Sequence, residues 1–135
     1  MRSVPEILRS LAPEKKVFIL GSAFVDVVGG CSFNVADVLS KFALPFEALM
    51  PVGEGMIADI VEKAFRERGY PVRRYSDRGD NGWCLSLVEP HGERTFVSMF
   101  GIERRMSLDW FDDFDMAEFD LIYLTGYQAE GENGA

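Results

Sequence analysis

Three features near the start of the chain could bind a ligand rich in hydroxyl groups. Asp26 is the only charged residue between positions 17 and 36, and a carboxylate can accept hydrogen bonds from two hydroxyl groups at once. Gly29 and Gly30 follow it, and a backbone without Cβ atoms can turn tightly and approach a ligand closely. Asn34 comes shortly afterwards and can cap backbone N–H groups or reach the same ligand. Two alternatives stay open: Asp26 as a turn residue at a sheet edge, and the glycine pair as an ordinary helix start.

The segments around these residues predict the strand and the helix that would position them. Residues 17–20 form a short apolar run ended by Gly21, which is typical of a buried parallel strand. Open α/β sheets bind ligands beyond the carboxyl ends of their strands, beside helix N-termini. The glycine pair lies at such a place, because the apolar residues that follow it recur at roughly helical spacing: Phe33, Ala36, Val38, Leu39, Phe42 and Ala43.

The pattern of strand, glycine turn and helix continues along the chain. Residues 46–53 predict a second strand, and residues 120–125 predict a third buried parallel strand. A helix is predicted to start after Gly55 and to end at Gly69. This order predicts an α/β fold with a mostly parallel sheet flanked by helices. The predicted apolar face of the second helix consists of Ile57, Ile60, Val61, Ala64 and Phe65.

Residues 83–100 predict a β-hairpin inserted among these units, as in a mixed sheet. Two strand-like runs flank a polar connection. His91, the only histidine, lies at the tip of the hairpin and is expected to be a solvated turn residue. After the hairpin, Ser107 is predicted to cap a short acidic helix, on which Asp112 and Asp113 are expected to be solvated.

Composition excludes several classes of protein. A chain of 135 residues that is 47% hydrophobic predicts one domain with a substantial core. A net charge of −8 and a pI of about 4.6 argue against nucleic-acid binding. No apolar run approaches membrane-spanning length and the first 13 residues do not resemble a signal peptide, so we predict a cytoplasmic location. Cys31 and Cys84 follow no metal or redox spacing, which predicts reduced thiols and no metal site.

In order and type, the motifs of this chain resemble the N-terminal part of the ribokinase-like, or PfkB-type, sugar kinases. The turn at Gly29 and Gly30 with Asn34 and Ala36 is moderately specific, and the run Val52-Gly53-Glu54-Gly55 before a helix strengthens the resemblance. The resemblance implies a ribokinase-like fold, which is Rossmann-like and incomplete here. The other matching positions, spread over residues 16–126, are Leu20-Gly21-Ser22 with Asp26, the turn Gly92-Glu93-Arg94, Gly101, and Leu124-Thr125-Gly126.

The resemblance also implies a binding site and an activity. Asp26 and Asn34 would hydrogen-bond sugar hydroxyl groups, and the glycine backbone would lie close to the sugar. Gly101 matches the position where the hairpin returns over the substrate, and Asn81 is expected near the ligand. Enzymes of this family transfer the γ-phosphoryl group of ATP, with Mg²⁺, to a hydroxyl group of a sugar or nucleoside. The substrate-binding residues that the resemblance implies are Asp26, Gly29, Gly30, Asn34, Gly101 and Asn81.

The chain departs from the family pattern in ways that bear on activity. It contains no Gly-Ala-Gly-Asp-like motif, so the catalytic base and the anion hole are predicted to be missing, and no catalytic residue is assigned. The ATP-binding half is expected beyond residue 135. Only Val27 and Val28 separate Asp26 from Gly29, where relatives carry strands of a lid over the sugar. Because that lid mediates dimerisation in some members, a homodimer is left open but disfavoured.

These observations together predict one partial ribokinase-like domain over residues 1–135. Its N-terminal extension is predicted at residues 1–14, and a poorly ordered tail at residues 127–135. The chain would bind a sugar or nucleoside but would not phosphorylate it by itself. The alternative is a non-catalytic ligand-binding or interaction domain on the same scaffold.

Overall fold

The computed structural model describes residues 28–76 and 78–127 in full, and residues 17–20 by their backbone. Asp26, the N-terminal extension and residues 128–135 of the tail lie outside this part of the chain. None of the helices in the described ranges has the length and apolar character needed to cross a membrane. The strands and α-helices are β1 (Val17–Leu20), α1 (Cys31–Lys41), β2 (Phe46–Leu49), β3 (Pro51–Val52), α2 (Met56–Arg68), β4 (Arg73–Arg74), β5 (Trp83–Val88), β6 (Arg94–Met99) and β7 (Leu121–Leu124).

The central sheet confirms the predicted α/β fold. β1 lies between β2 and β7 and pairs in parallel with both of them. Its last residue, Leu20, is in register with Leu49 of β2 and with Leu124 of β7. The carboxyl ends of the three strands therefore meet at one edge of the sheet, where folds of this class place their ligands.

The two α-helices pack their apolar faces into one aromatic core. Phe33 of α1 stacks on Phe65 of α2 with ring centroids 5.7 Å apart, and Tyr70 packs against both rings. Burial of a phenylalanine such as Phe65 stabilises a fold by about 2–3 kcal/mol. The predicted apolar face of α2 is wrong at Ile60, which is 41% exposed, whereas Ala58 is fully buried. The helix thus places a small side chain against the core at this turn and directs the larger one outward.

The second predicted strand is divided at Met50. β2 belongs to the central sheet, whereas β3 pairs in parallel with β4 in a separate two-stranded sheet. Met50 and Val52 are both buried in the same core as the aromatic residues. The chain therefore leaves the central sheet without leaving the core, which explains why the apolar run continues across the division.

The predicted helix after the hairpin is shorter and differently started. Leu108–Phe111 is a 3₁₀-helix, one of three such helices between β6 and β7, the others being Ile102–Arg104 and Met116–Glu118. The prediction that Ser107 caps it is wrong, because the Ser107 hydroxyl bonds the side chain of Asp109 and no cap bond forms. Trp110 holds the segment in place by stacking on Tyr75 with ring centroids 4.0 Å apart.

β7 is parallel to β1 as predicted, but the prediction that it is buried is wrong. Leu121, Ile122 and Leu124 are each 55% exposed. Among the described strands, β7 lies at an edge of the three-stranded sheet and pairs only with β1. An apolar sequence identifies such a strand but does not reveal whether its faces are covered.

The hairpin of β5 and β6 is antiparallel, with Trp83 opposite Met99 and Val88 opposite Arg94. It forms its own two-stranded sheet, so the prediction of a mixed sheet is wrong. Every residue of 83–100 except Cys84 is exposed or nearly so on both faces. The hairpin therefore projects from the core.

Candidate functional site

The start of α1 follows β1 in the chain, and the residue before the helix, Gly30, makes no capping hydrogen bond through a side chain. The helix begins after Gly30, whose φ of 99° lies in the region that favours glycine. Gly30 has no side chain with which to cap the helix, and the first turn contains no acidic residue. The N-terminus of a helix carries a partial positive charge and attracts polar or anionic groups.

Asn34 lies on the first turn of α1, and its backbone N–H donates to the Gly30 carbonyl over 2.9 Å. Its side chain is exposed, whereas Gly29 and Gly30 are half-buried. An exposed amide beside a glycine turn can both donate to and accept from a hydroxyl group. Three of the six predicted residues, Gly29, Gly30 and Asn34, therefore lie together at the start of α1, while Asp26 lies outside the described part of the chain.

The start of α2 follows a glycine turn like the one before α1, but its backbone N–H groups are bound by the side chain of Asp80. One carboxylate oxygen of Asp80 accepts the Ala58 N–H over 2.7 Å, and the other accepts the Ile57 N–H over 3.1 Å. A carboxylate at this position satisfies the first backbone donors of the helix. The two glycine turns look alike in the sequence, but α1, unlike α2, has no acidic residue in its first turn.

Asn81 is 4% exposed, and both ends of its amide bond the chain itself. Its Oδ1 accepts the Gly53 N–H over 2.8 Å, and its Nδ2 donates to the Pro51 carbonyl over 2.9 Å. These bonds tie the turn before the hairpin to the end of β3. A contact between Asn81 and a ligand stays a prediction, and the geometry adds a structural role that the sequence did not reveal.

Gly101 lies at the exit of the hairpin, packed against its entry. A Cβ at this position would come closer than 3.0 Å to backbone atoms of Asp80, Asn81 and Gly82. The Ile102 N–H donates to the Asp80 carbonyl over 3.0 Å in the same contact. Glycine is therefore required here by the close approach of two backbone segments, in addition to the predicted proximity to substrate.

Glu103 is the buried charged group that sequence reasoning missed. It is 2% exposed, and its carboxylate accepts the N–H groups of Gly82 and Gly101, each over 3.1 Å. Burial raises the pKa of the Glu103 carboxyl, the backbone hydrogen bonds partly offset this, and the negative charge of Asp80 adds to the increase. No local signal could have found it, because Glu103 precedes two arginines and resembles part of a solvated charged run.

Glu103→Gln is expected to change how stability depends on pH. Because the folded-state pKa of Glu103 lies above its ordinary value of 4.5, the folded protein holds this proton more tightly than the unfolded chain does. The contribution of Glu103 to the stability of the wild type therefore falls as the pH rises from about 4.5 through the raised pKa. Urea unfolding across this range should show the variant gaining on the wild type as the pH rises. The exposed Glu93→Gln serves as the control, and a flat difference for Glu103→Gln would contradict the assignment.

The other polar residues singled out by the sequence, His91, Asp112 and Asp113, are exposed. His91 is exposed at the hairpin tip, 3.0 Å from the Glu89 carboxylate. Asp112 and Asp113 are exposed as predicted, and Asp113 pairs with Arg73. Within the described ranges, no group of three or more His, Cys, Asp or Glu side chains could hold a metal ion.

Comparison with known proteins identifies the family. The sequence pattern of the pfkB family carbohydrate kinases matches residues 6–132. The chain belongs to this family. The resemblance based on the glycine turns and Asn34 is therefore confirmed at the level of the family.

Among its relatives, the uncharacterised sugar kinase YegV of Escherichia coli (strain K12) is 31% identical over 144 residues, which cover 90% of this chain and 45% of that protein. Because this alignment is longer than the chain, YegV contains residues in this span that the chain lacks. The short connection between Asp26 and Gly29 is the predicted place for them.

Solved structures confirm the ribokinase-like fold. A fructokinase from Xylella fastidiosa with bound ATP superposes with a TM-score of 0.67 at 17% identity, covering 81% of this chain and 38% of that one. The ribokinase from Giardia lamblia gives a TM-score of 0.59 at 20% identity, covering 74% and 37%. The chain thus spans less than half the length of these relatives.

Among the residues that the structure describes, none can be assigned to the ATP and Mg²⁺ that the family implies. The sequence has no Gly-Ala-Gly-Asp-like motif, and the start of α2 is filled by the Asp80 carboxylate, which would repel a phosphate. No step through either group follows from this chain's own residues.

Proposed function

We propose that this chain is the sugar-binding part of a PfkB-type kinase, whose complete form transfers the γ-phosphoryl group of ATP to a hydroxyl group of a sugar or nucleoside. The observation that carries the proposal is the start of α1, where Gly30 provides no capping side chain and the Asn34 side chain is exposed. This helix follows β1 in the chain, and β1 ends at the edge of the sheet where the three parallel strands have their carboxyl ends.

Each proposed residue has a distinct task. Asp26 accepts hydrogen bonds from neighbouring hydroxyl groups and Asn34 adds a donor and an acceptor, so that together they fix the orientation of the ring. Gly29 and Gly30 let the backbone approach the sugar. Gly101 holds the exit of the hairpin close to its entry, and Asn81 anchors the same turn. Phosphoryl transfer depends on positioning the acceptor hydroxyl, and this is the contribution proposed for the chain.

We further propose that the 135-residue chain alone has no kinase activity. The catalytic base and the anion hole that the family requires have no counterpart in its sequence. Incubation with ATP, Mg²⁺ and a sugar panel should therefore yield no ADP above background. Turnover by the purified chain would overturn this part of the proposal while leaving sugar binding intact.

The alternative is a non-catalytic ligand-binding or interaction domain on the same scaffold. It is supported by the exposed apolar side chains of β7 and of the hairpin, among them Ile122, Phe96 and Phe100. Exposed apolar patches are typical of surfaces that contact another protein. If the chain is an interaction domain of this kind, no sugar should stabilise it.

A thermal-shift screen with pentoses, hexoses and nucleosides tests sugar binding directly. We expect one chemical class to raise the unfolding temperature, because a ligand that binds only the folded state at 100 times its Kd adds about 2.7 kcal/mol of stability. Asp26→Ala combined with Asn34→Ala should abolish the shift. Asp112→Ala, which removes an exposed carboxylate elsewhere, should retain it. A shift that survives the double substitution would refute the proposed site.

A further inference from the structure

The hairpin is joined to the remainder of the molecule through its base. All residues of 83–100 except Cys84 are exposed, and within the part of the chain that the structure describes, β5 and β6 pair only with each other. The direction in which the hairpin projects must therefore be set by the residues that enter and leave it. These are residues 80–82 at the entry and residues 101–103 at the exit.

The entry to the hairpin is fixed to the core by two neighbouring side chains. Asp80 accepts the first backbone N–H groups of α2, and Asn81 bridges Gly53 and Pro51 at the end of β3. The Gly79 carbonyl adds a bond from the Glu54 N–H over 2.9 Å. Residues 80–82 at the entry therefore have a defined position relative to α2.

The exit is held to the entry by Glu103. One oxygen of its carboxylate accepts the Gly82 N–H at the entry, and the other accepts the Gly101 N–H at the exit. A carboxylate is suited to this bridge because it offers two acceptor oxygens and no donor. A buried carboxylate is costly unless it is hydrogen-bonded, so its retention at 2% exposure indicates that the bridge is formed.

We propose that Glu103 is a positioning residue that clasps the two ends of the hairpin and thereby fixes the hairpin's orientation relative to α1 and α2. The inference rests on these contacts and does not depend on the proposed sugar site. Glutamine at position 103 could accept only one of the two N–H groups, because its amide nitrogen would face the other donor. The hairpin would then keep its internal pairing but lose its defined direction.

The chain's only two cysteines provide a measurement of this orientation. Cys31 is exposed at the start of α1, and Cys84 is half-buried in β5. Spin labels on both thiols report the distance between the helix and the hairpin by pulsed electron resonance. We expect a narrow distance distribution in the wild type and one at least twofold broader in Glu103→Gln. Glu93→Gln, the same change at an exposed position of the hairpin turn, should match the wild type.

A second variant and an exchange measurement test the same bridge through Glu103. If Glu103→Gln fails to fold, Glu103→Asp retains the charge but is too short to reach both N–H groups, and it should broaden the distribution likewise. In the wild type, the amides of Gly82 and Gly101 should exchange with deuterium more slowly than those of the hairpin tip. A broad distribution in the wild type, or an unchanged one in a folded Glu103 variant, would overturn the proposal, whatever the outcome of sugar binding.

Discussion

Gly101→Ala is expected to destabilise the protein by about 3 kcal/mol, because the added methyl group would overlap backbone atoms on three consecutive residues of the hairpin entry. Backbone cannot rotate away as a flexible side chain can, so the two segments must separate. Their separation would also disturb the bridge through Glu103. Chemical denaturation monitored by circular dichroism measures the change in the free energy of unfolding.

Gly126→Ala is the matched control for this substitution. A Cβ at Gly126 would meet no atom within 4 Å, so the stability should change by less than about 0.5 kcal/mol. If Gly101→Ala proved as stable as this control, the close approach at the base of the hairpin would be refuted. A stable Gly101→Ala protein that had lost only sugar binding would instead favour a role at the ligand alone.

Asn81→Ala is expected to cost about 2–4 kcal/mol of stability. The substitution removes the partners of the Gly53 N–H and the Pro51 carbonyl, both of which belong to buried residues. A buried polar group left without a hydrogen bond costs about 1–3 kcal/mol. The measurement is again the free energy of unfolding from urea denaturation, taken without ligand so that binding does not contribute.

In contrast to Asn81→Ala, Asn34→Ala is expected to weaken sugar binding and not stability. Asn34 is exposed on α1, and alanine is the better helix former, so stability should be maintained while the thermal shift produced by a sugar falls. If Asn81→Ala left stability unchanged and abolished the sugar-induced shift, Asn81 would be a ligand residue and its structural role would be wrong. The pair thus separates residues that hold the fold from residues that hold the substrate.

The parts of the fold that could be predicted from sequence are those in which the pattern is local. The run at 17–20, the apolar spacing of α2 and the turns at Gly55 and Gly69 each indicate an element from neighbouring residues alone. The exposure of β7 and the independence of the hairpin could not be predicted in this way. Both depend on which surfaces lie opposite, and an apolar strand has the same sequence whether or not it is covered.

At the candidate site, too, the sequence predicts the contacts between near neighbours and not those between distant residues. Gly29, Gly30 and Asn34 are close in sequence, so their joint position at a helix start follows from spacing. The bonds from Asp80 to α2 and from Glu103 to Gly82 join residues more than 20 positions apart. The sequence does not reveal these partners, because the polar turn and the charged run each have the composition of a solvated segment. Only the fold shows that they lie side by side.

β7 has a consequence for the behaviour of the protein at high concentration. As an edge strand of the sheet among the described residues, it presents backbone N–H and C=O groups that a strand of another molecule can pair with, and Leu121, Ile122 and Leu124 are each 55% exposed. Unprotected edges of this kind are templates for aggregation. A second strand that pairs with this edge would therefore cover both the free backbone groups of β7 and its exposed leucine and isoleucine side chains.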